Sequence, residues 1–184
     1  LETVQGGGGI IQAPAEYWQK LRALCDKHGV LWVADEVQCG YGRTGKFYAF
    51  EHYGVIPDVT ALAKSLGGGV MPVSAVCATE EVFKPMMSPN PFMHTTTTGG
   101  GALACAAAIA AINITLRDRL WEGAATKGGY LIEKVQELAD EFPQVYKEVT
   151  GKGLLIGQHF RTPETGYKVA AELFKRGVLV AGTL

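Results

Sequence analysis

Two residues of this 184-residue chain combine type and position in a way that suits covalent chemistry. Asp35 ends the apolar run at residues 30–34, and Lys64 ends the run at residues 59–63. An acid at the end of a buried strand is costly to leave unpaired, and nothing in residues 30–34 can pair with it. Taken singly, each has a plain explanation. Asp35 could cap the loop that follows or pair with Arg43, and Lys64 could reach solvent at a sheet edge. Together they supply a carboxylate and an amine, as required by a cationic heteroaromatic cofactor held as an imine, with the acid at its ring nitrogen and the amine at its aldehyde carbon. They lie 29 residues apart, which leaves room for one crossover between strands of a sheet, a connection that needs at least roughly 10 to 12 residues.

The elements that must position this pair follow from the spacing of apolar residues. Tyr17, Trp18, Leu21, Leu24 and Cys25 recur at helical spacing within residues 14–28, predicting an amphipathic helix stopped by Gly29. Residues 30–34 read as a strand buried on both faces of a parallel sheet. A glycine-rich loop at 40–45 and an aromatic segment at 47–53 lead to a second strand at 59–63. A third, at 73–78, follows the glycines at 67–69, and Thr79, Glu80 and Glu81 have the composition of a helix start. This alternation predicts parallel strands whose C-terminal ends share one edge, where open α/β sheets bind ligands. Further on, residues 102–116 predict a buried helix and 121–142 a mixed-charge helix. A strand at 153–160, a helix at 167–176 and a strand at 178–181 complete the pattern. The expected organisation is residues 1–101 as part of a larger domain, 102–118 as a connecting helix and 119–184 as part of a smaller one.

Composition narrows the function classes. With 47% hydrophobic and 19% charged residues the chain can build a core. Its net charge of -1 offers no electrostatic footprint for nucleic acid or an anionic membrane surface. No apolar run approaches the ~18 to 20 residues of a membrane helix, and the N-terminus carries no export signal, so neither membrane nor secretion is expected. Cys25, Cys39, Cys77 and Cys105 form no CxxC pair and read as free thiols, pointing to a reducing cytoplasm. The four histidines show no metal-ligand spacing, so no metal is expected. A nucleotide-binding domain is disfavoured because GxGxxG and GxxxxGK[ST] are both missing.

The strings LWVADEVQCGYGRTGKFYAFEHYGVIPD, ALAKSLGGGVMPVSAV and HTTTTGGGALACAAA resemble the class III aminotransferases, pyridoxal-phosphate enzymes of fold type I, over nearly the whole chain. ATEEVF, NPFMHTTT and the terminal VLVAGTL are most similar to the putrescine-using branch of that family. The resemblance implies an α/β fold type I fragment: a mostly parallel sheet with flanking helices, plus part of a smaller C-terminal α/β domain. It implies a homodimer with a shared active site, pyridoxal 5'-phosphate as cofactor, and transfer of an amino group from a terminal amine, such as a diamine or ω-amino acid, to a 2-oxo acid such as 2-oxoglutarate.

On that resemblance Asp35 would keep the ring nitrogen protonated, and Lys64 would bind the cofactor aldehyde and then shuttle a proton at the substrate carbon. Val37 would pack on the ring face and Gln38 would lie near the phenolic oxygen. Thr97 would bind the phosphate of the partner subunit's cofactor, although Thr95 to Thr98 could instead simply cap the following helix. Glu2 is similar to the gating glutamate of the ExxQG motif, whose arginine partner is absent here.

The chain also departs from the family pattern. Gly7 stands where relatives carry a loop acid, and Gly101 and Ala102 stand where they carry Asn and Pro. These changes bear on cofactor affinity and keep open a noncatalytic relative, or an aminomutase or decarboxylase on the same scaffold. With no initiator Met, and with upstream and downstream family segments missing, the chain is expected to be part of a larger protein, and alone to be inactive and either unstable or poor at dimerising.

Overall fold

The computed structural model describes residues 1–92 and 94–182. Met93, Thr183 and Leu184, which belong to the NPFMHTTT and VLVAGTL strings, lie outside the described residues. The chain opens with a short antiparallel hairpin, β1 (Val4–Gln5) and β2 (Ile11–Gln12), and continues into α1 (Ala15–His28). Gly29, with φ 61°, ends α1 in a left-handed cap where a side chain would be strained. Trp18, Leu21 and Cys25 share the face of α1 that packs onto Trp32 and Ala34. The ring of Trp18 stacks on both Trp32 and Tyr53 at centroid distances of 5.7 Å. Tyr17 and Leu24 remain exposed.

Three strands form the sheet beside this core: β3 (Val33–Asp35), β4 (Val59–Leu62) and β5 (Ala75–Ala78), in that order. β3 and β4 are parallel, with Asp35 level with Ala61. Asp58 fastens α1 to the start of this pairing, accepting from the Trp32 amide and from Arg22 at 2.7 Å each. β5 runs antiparallel to β4, unlike the parallel third strand expected from the alternation. The connection contains a single 3₁₀ turn (Lys64–Gly67) and two glycines of positive φ, Gly68 and Gly69, which reverse the chain instead of carrying it over the sheet.

Beyond the sheet come α2 (Glu80–Met87), α3 (Ala102–Arg117) and α4 (Leu120–Glu141). An antiparallel hairpin, β6 (Tyr146–Lys152) and β7 (Leu155–Phe160), and α5 (Pro163–Lys175) follow. The hairpin packs against the N-terminal half of the chain. Leu155 shares a core with Val4, Cys39 and Ala49, and the Leu154 amide donates to the Arg43 carbonyl at 2.9 Å. Gln12 Nε2 donates to the Gly151 carbonyl, and Thr150 Oγ1 to that of Gly9.

Several expectations are corrected. Residues 30–34 are not buried on both faces: the strand starts at Val33, and Val30, Leu31 and Val33 are exposed because only the α1 side is covered. α3 forms as expected but is not buried. Ala108 and Thr115 are covered, while Leu103, Ile109, Ile114 and Leu116 face outward. Residues 178–181 form no strand. β6 was not anticipated, because its KEVTGK sequence alternates too weakly to stand out from a polar loop. Leu1 runs alongside β3, its backbone nitrogen donating to the Val33 carbonyl and its carbonyl accepting from the Asp35 amide at 2.9 Å, and Glu2 forms a parallel backbone bridge with Asp35.

Candidate active site

Asp35 and Lys64 emerge at the same edge because their strands are parallel neighbours and each ends just before its residue's loop begins. Asp35 is half-buried, and its Oδ1 accepts from the Val37 amide at 3.1 Å, so the carboxylate caps its own loop. The alternative pairing with Arg43 does not occur among the described residues. Lys64 is exposed, as a lysine reaching solvent at the sheet edge would be. Its backbone adopts φ 49°, a left-handed conformation disfavoured for a residue with a side chain, costing on the order of 1–2 kcal/mol. Its Nζ donates to Gln38 Oε1 at 3.2 Å. Three of the expected residues, Val37, Gln38 and Lys64, line one cleft of about 290 Å³ together with Arg43, Ser65 and Leu155.

The loop after Asp35 is held from beneath by Glu36, whose side chain is fully buried. Its carboxylate accepts from Thr3 Oγ1 and the Ala49 amide at 2.9 Å each, and from the Phe50 amide at 3.2 Å. Burial raises its pKa, against the lowering effect of these three donors. Sequence reasoning passed over Glu36 in favour of its neighbour. The available signal was its place one residue beyond Asp35, where strand alternation turns it to the opposite, interior side.

Glu2 is not aimed at a cation among the described residues. Its carboxylate accepts from the Gly6 amide at 3.0 Å and so shapes the glycine loop at residues 6–9. Thr97 is exposed in the loop before α3 and is not among the residues lining the cleft. The alternative role for Thr95 to Thr98 is not seen, since the N-cap of α3 is Gly101 with no side-chain hydrogen bond. Cys39 is buried with its thiol donating to the Val4 carbonyl at 3.0 Å, and burial pushes its pKa up to about 12, so it is unreactive.

The edge therefore offers a carboxylate, an accessible amine, an amide beside that amine and an apolar side chain at Val37. This donor set fits pyridoxal phosphate: an acid for the ring nitrogen, an amine for the aldehyde, an amide for the phenolic oxygen and a branched side chain for the ring face. No helix of the described residues is long and apolar enough to cross a membrane.

Comparison with known proteins gives a consistent result. The family model for class-III aminotransferases matches residues 1–183. A putrescine aminotransferase from Pectobacterium atrosepticum is 55% identical over 184 residues, spanning all of this chain and 39% of that protein. The solved structure of an ornithine aminotransferase from Plasmodium yoelii matches with a TM-score of 0.90 at 35% identity, covering 99% of this chain and 48% of that one. An amine transaminase from an uncultivated Pseudomonas species, solved in its PLP-bound form, matches with a TM-score of 0.90 at 36% identity, covering 99% and 44% respectively. The chain thus spans less than half the length of these relatives.

Proposed function

The chain belongs to the class III aminotransferases, and from that premise we propose that the whole protein is a pyridoxal-phosphate-dependent transaminase. Its donor is a terminal amine, such as putrescine or another diamine, or an ω-amino acid. Its acceptor is a 2-oxo acid such as 2-oxoglutarate. When bound, pyridoxal phosphate supplies an aldehyde that condenses with amines and a ring that accepts electron density from the adjacent carbon. The observation that carries this reading is the emergence of Asp35 and Lys64 from neighbouring parallel strands at one sheet edge.

In this reading Asp35 holds a proton on the ring nitrogen, and its bond from the Val37 amide keeps the carboxylate from turning away. Lys64 Nζ, exposed and held by one weak acceptor, binds the aldehyde and afterwards carries a proton to and from the substrate carbon. Val37 packs on the ring and Gln38 orients the phenolic oxygen. Amine donor and oxo-acid acceptor use the site in turn, so no external oxidant is needed: one substrate leaves as the carbonyl and the other as the amine.

The reading extends to the assembly. Residues 1–101 belong to the cofactor-binding domain, 102–118 connect, and 119–184 belong to the smaller domain. The protein is a cytoplasmic homodimer in which Thr97 serves the partner's phosphate and Glu2 belongs to a substrate gate. The outward-facing apolar residues of α3 support a covered surface there.

The test is addition of pyridoxal phosphate to the full-length protein, borohydride reduction and peptide mapping. Stable label on Lys64 is expected; label on another lysine with Lys64 unmodified overturns the assignment.

A further inference from the structure

The run of four glycines at residues 6–9 contains one position at which the missing side chain bears directly on the reactive amine. A Cβ built on Gly6 would fall 2.7 Å from Gln38 Nε2 and closer still to Oε1 and Cδ. All three atoms belong to the end of the side chain that accepts from Lys64 Nζ. Gly6 does not need glycine for its backbone, because it lacks the positive φ found at Gly9. Its amide is pinned by Glu2, which fixes the loop's distance from Gln38. The neighbouring Gly7 has nothing within 4 Å of an added Cβ. An added Cβ on Gly8 meets Gln5 and one on Gly9 meets His159, so within the run the approach to Gln38 is particular to position 6.

We propose that Gly6 is a positioning residue: by carrying no side chain it gives the Gln38 amide room to stand beside Lys64, and that amide in turn holds the Lys64 ammonium in the cleft. This rests on the reading of Lys64 as the reactive amine. A methyl group at position 6 displaces the far end of a flexible side chain and no backbone, so the chain accommodates it by swinging Gln38 away. What is lost is the hydrogen bond to Lys64. To attack, the Lys64 ammonium must lose a proton to solvent and part from the acceptor it donates to, and the free amine then displaces acetate from the anhydride, so Lys64 in the apo protein reacts faster once Gln38 is displaced.

The experiment uses the full-length protein without cofactor. Lys64 acylation by trace acetic anhydride is followed by peptide mapping from neutral to alkaline pH, with the other lysines as internal references. Gln38→Ala and Gly6→Ala are each expected to raise the Lys64 rate about threefold, the size of one net hydrogen bond to an accessible group. Their pH profiles should superpose. In the double variant Gly6→Ala should add nothing to Gln38→Ala, because both act through one contact. Gly7→Ala is expected to match the parent protein.

An unchanged Lys64 rate in Gly6→Ala overturns the proposal. So does a further increase on adding Gly6→Ala to Gln38→Ala, since position 6 would then act by another route. None of these readings involves pyridoxal phosphate. Failure of the borohydride mapping would therefore remove the transaminase reading and leave this coupling standing, and the reverse also holds.

Discussion

Asp35 and Lys64 leave one sheet edge from adjacent parallel strands, offset so that Asp35 is level with Ala61 and Lys64 follows three residues later. The offset places the acid within the last strand position and the amine in the turn beyond it. The acid is thereby fixed by main-chain pairing while the amine is not. That division suits the roles proposed for them, Asp35 holding a charge in place and Lys64 moving a proton.

Asp35→Asn tests the fixed member. Asparagine keeps the oxygen that accepts from the Val37 amide, so the Tm of the full-length protein should change little. On the proposed function, transaminase kcat should fall by roughly 10²–10⁴, the range expected for a lost proton-holding group. A variant retaining near-full kcat would remove Asp35 from its role.

Glu36 separates shape from charge. Glu36→Ala strands the Thr3 hydroxyl and the Ala49 and Phe50 amides in the interior and should cost about 3 kcal/mol, visible in denaturant unfolding. Glu36→Gln retains an acceptor for the amides and should lose less. Because the folded-state pKa is raised, Glu36 contributes stability below the ordinary glutamate range that is withdrawn as pH rises through the folded value. The gap between Glu36→Gln and the parent should accordingly narrow or reverse with rising pH; a gap that widens would contradict this.

His52 makes the opposite pH prediction. Burial, aided by the charge of Lys152, pushes its pKa down to about 4, although the Thr44 contact works the other way, as Lys46 adds to the lowering. The folded chain then binds a proton less readily than the unfolded one, so stability is complete above about pH 6.5 and is lost as pH falls toward 4. In His52→Gln the decline in Tm over that window should be shallower than in the parent. Parallel curves would show that His52 does not titrate on unfolding.

Gly128 and Gly129 offer a paired test of the contact between α4 and the β6–β7 turn. A Cβ on Gly128 would lie 2.6 Å from Gly153 Cα and nearer still to its carbonyl, whereas one on Gly129 meets nothing within 4 Å. Gly129→Ala should stabilise by about 1 kcal/mol through helix propensity alone. Gly128→Ala should destabilise by about 1–3 kcal/mol because backbone must shift. Equal effects in chemical denaturation would mean that the turn does not sit against α4.

How much of this was legible in the chain depends on how far each feature reaches in sequence. Helix α1 and its stop at Gly29 were readable because periodicity and a left-handed cap are local properties. The ends of β3 and β4, and hence the positions of Asp35 and Lys64, were readable for the same reason, and the strings around them carried the family resemblance. The direction of β5 was not, because two glycines at 68 and 69 are compatible with either a crossover or a reversal until the strand finds its neighbour. Burial of residues 30–34 and of α3 also escaped, since apolar composition states what could be covered and not what covers it. Which of four consecutive glycines leaves room for Gln38, and which of two consecutive acids turns inward, depends on residues more than ten positions away: Gln38 for Gly6, and Thr3, Ala49 and Phe50 for Glu36. Local chemistry therefore singled out Asp35 and Lys64 as candidates, and only the folding of distant segments against them decided what holds that pair in place, because steric exclusion and buried hydrogen bonds exist only once those segments meet.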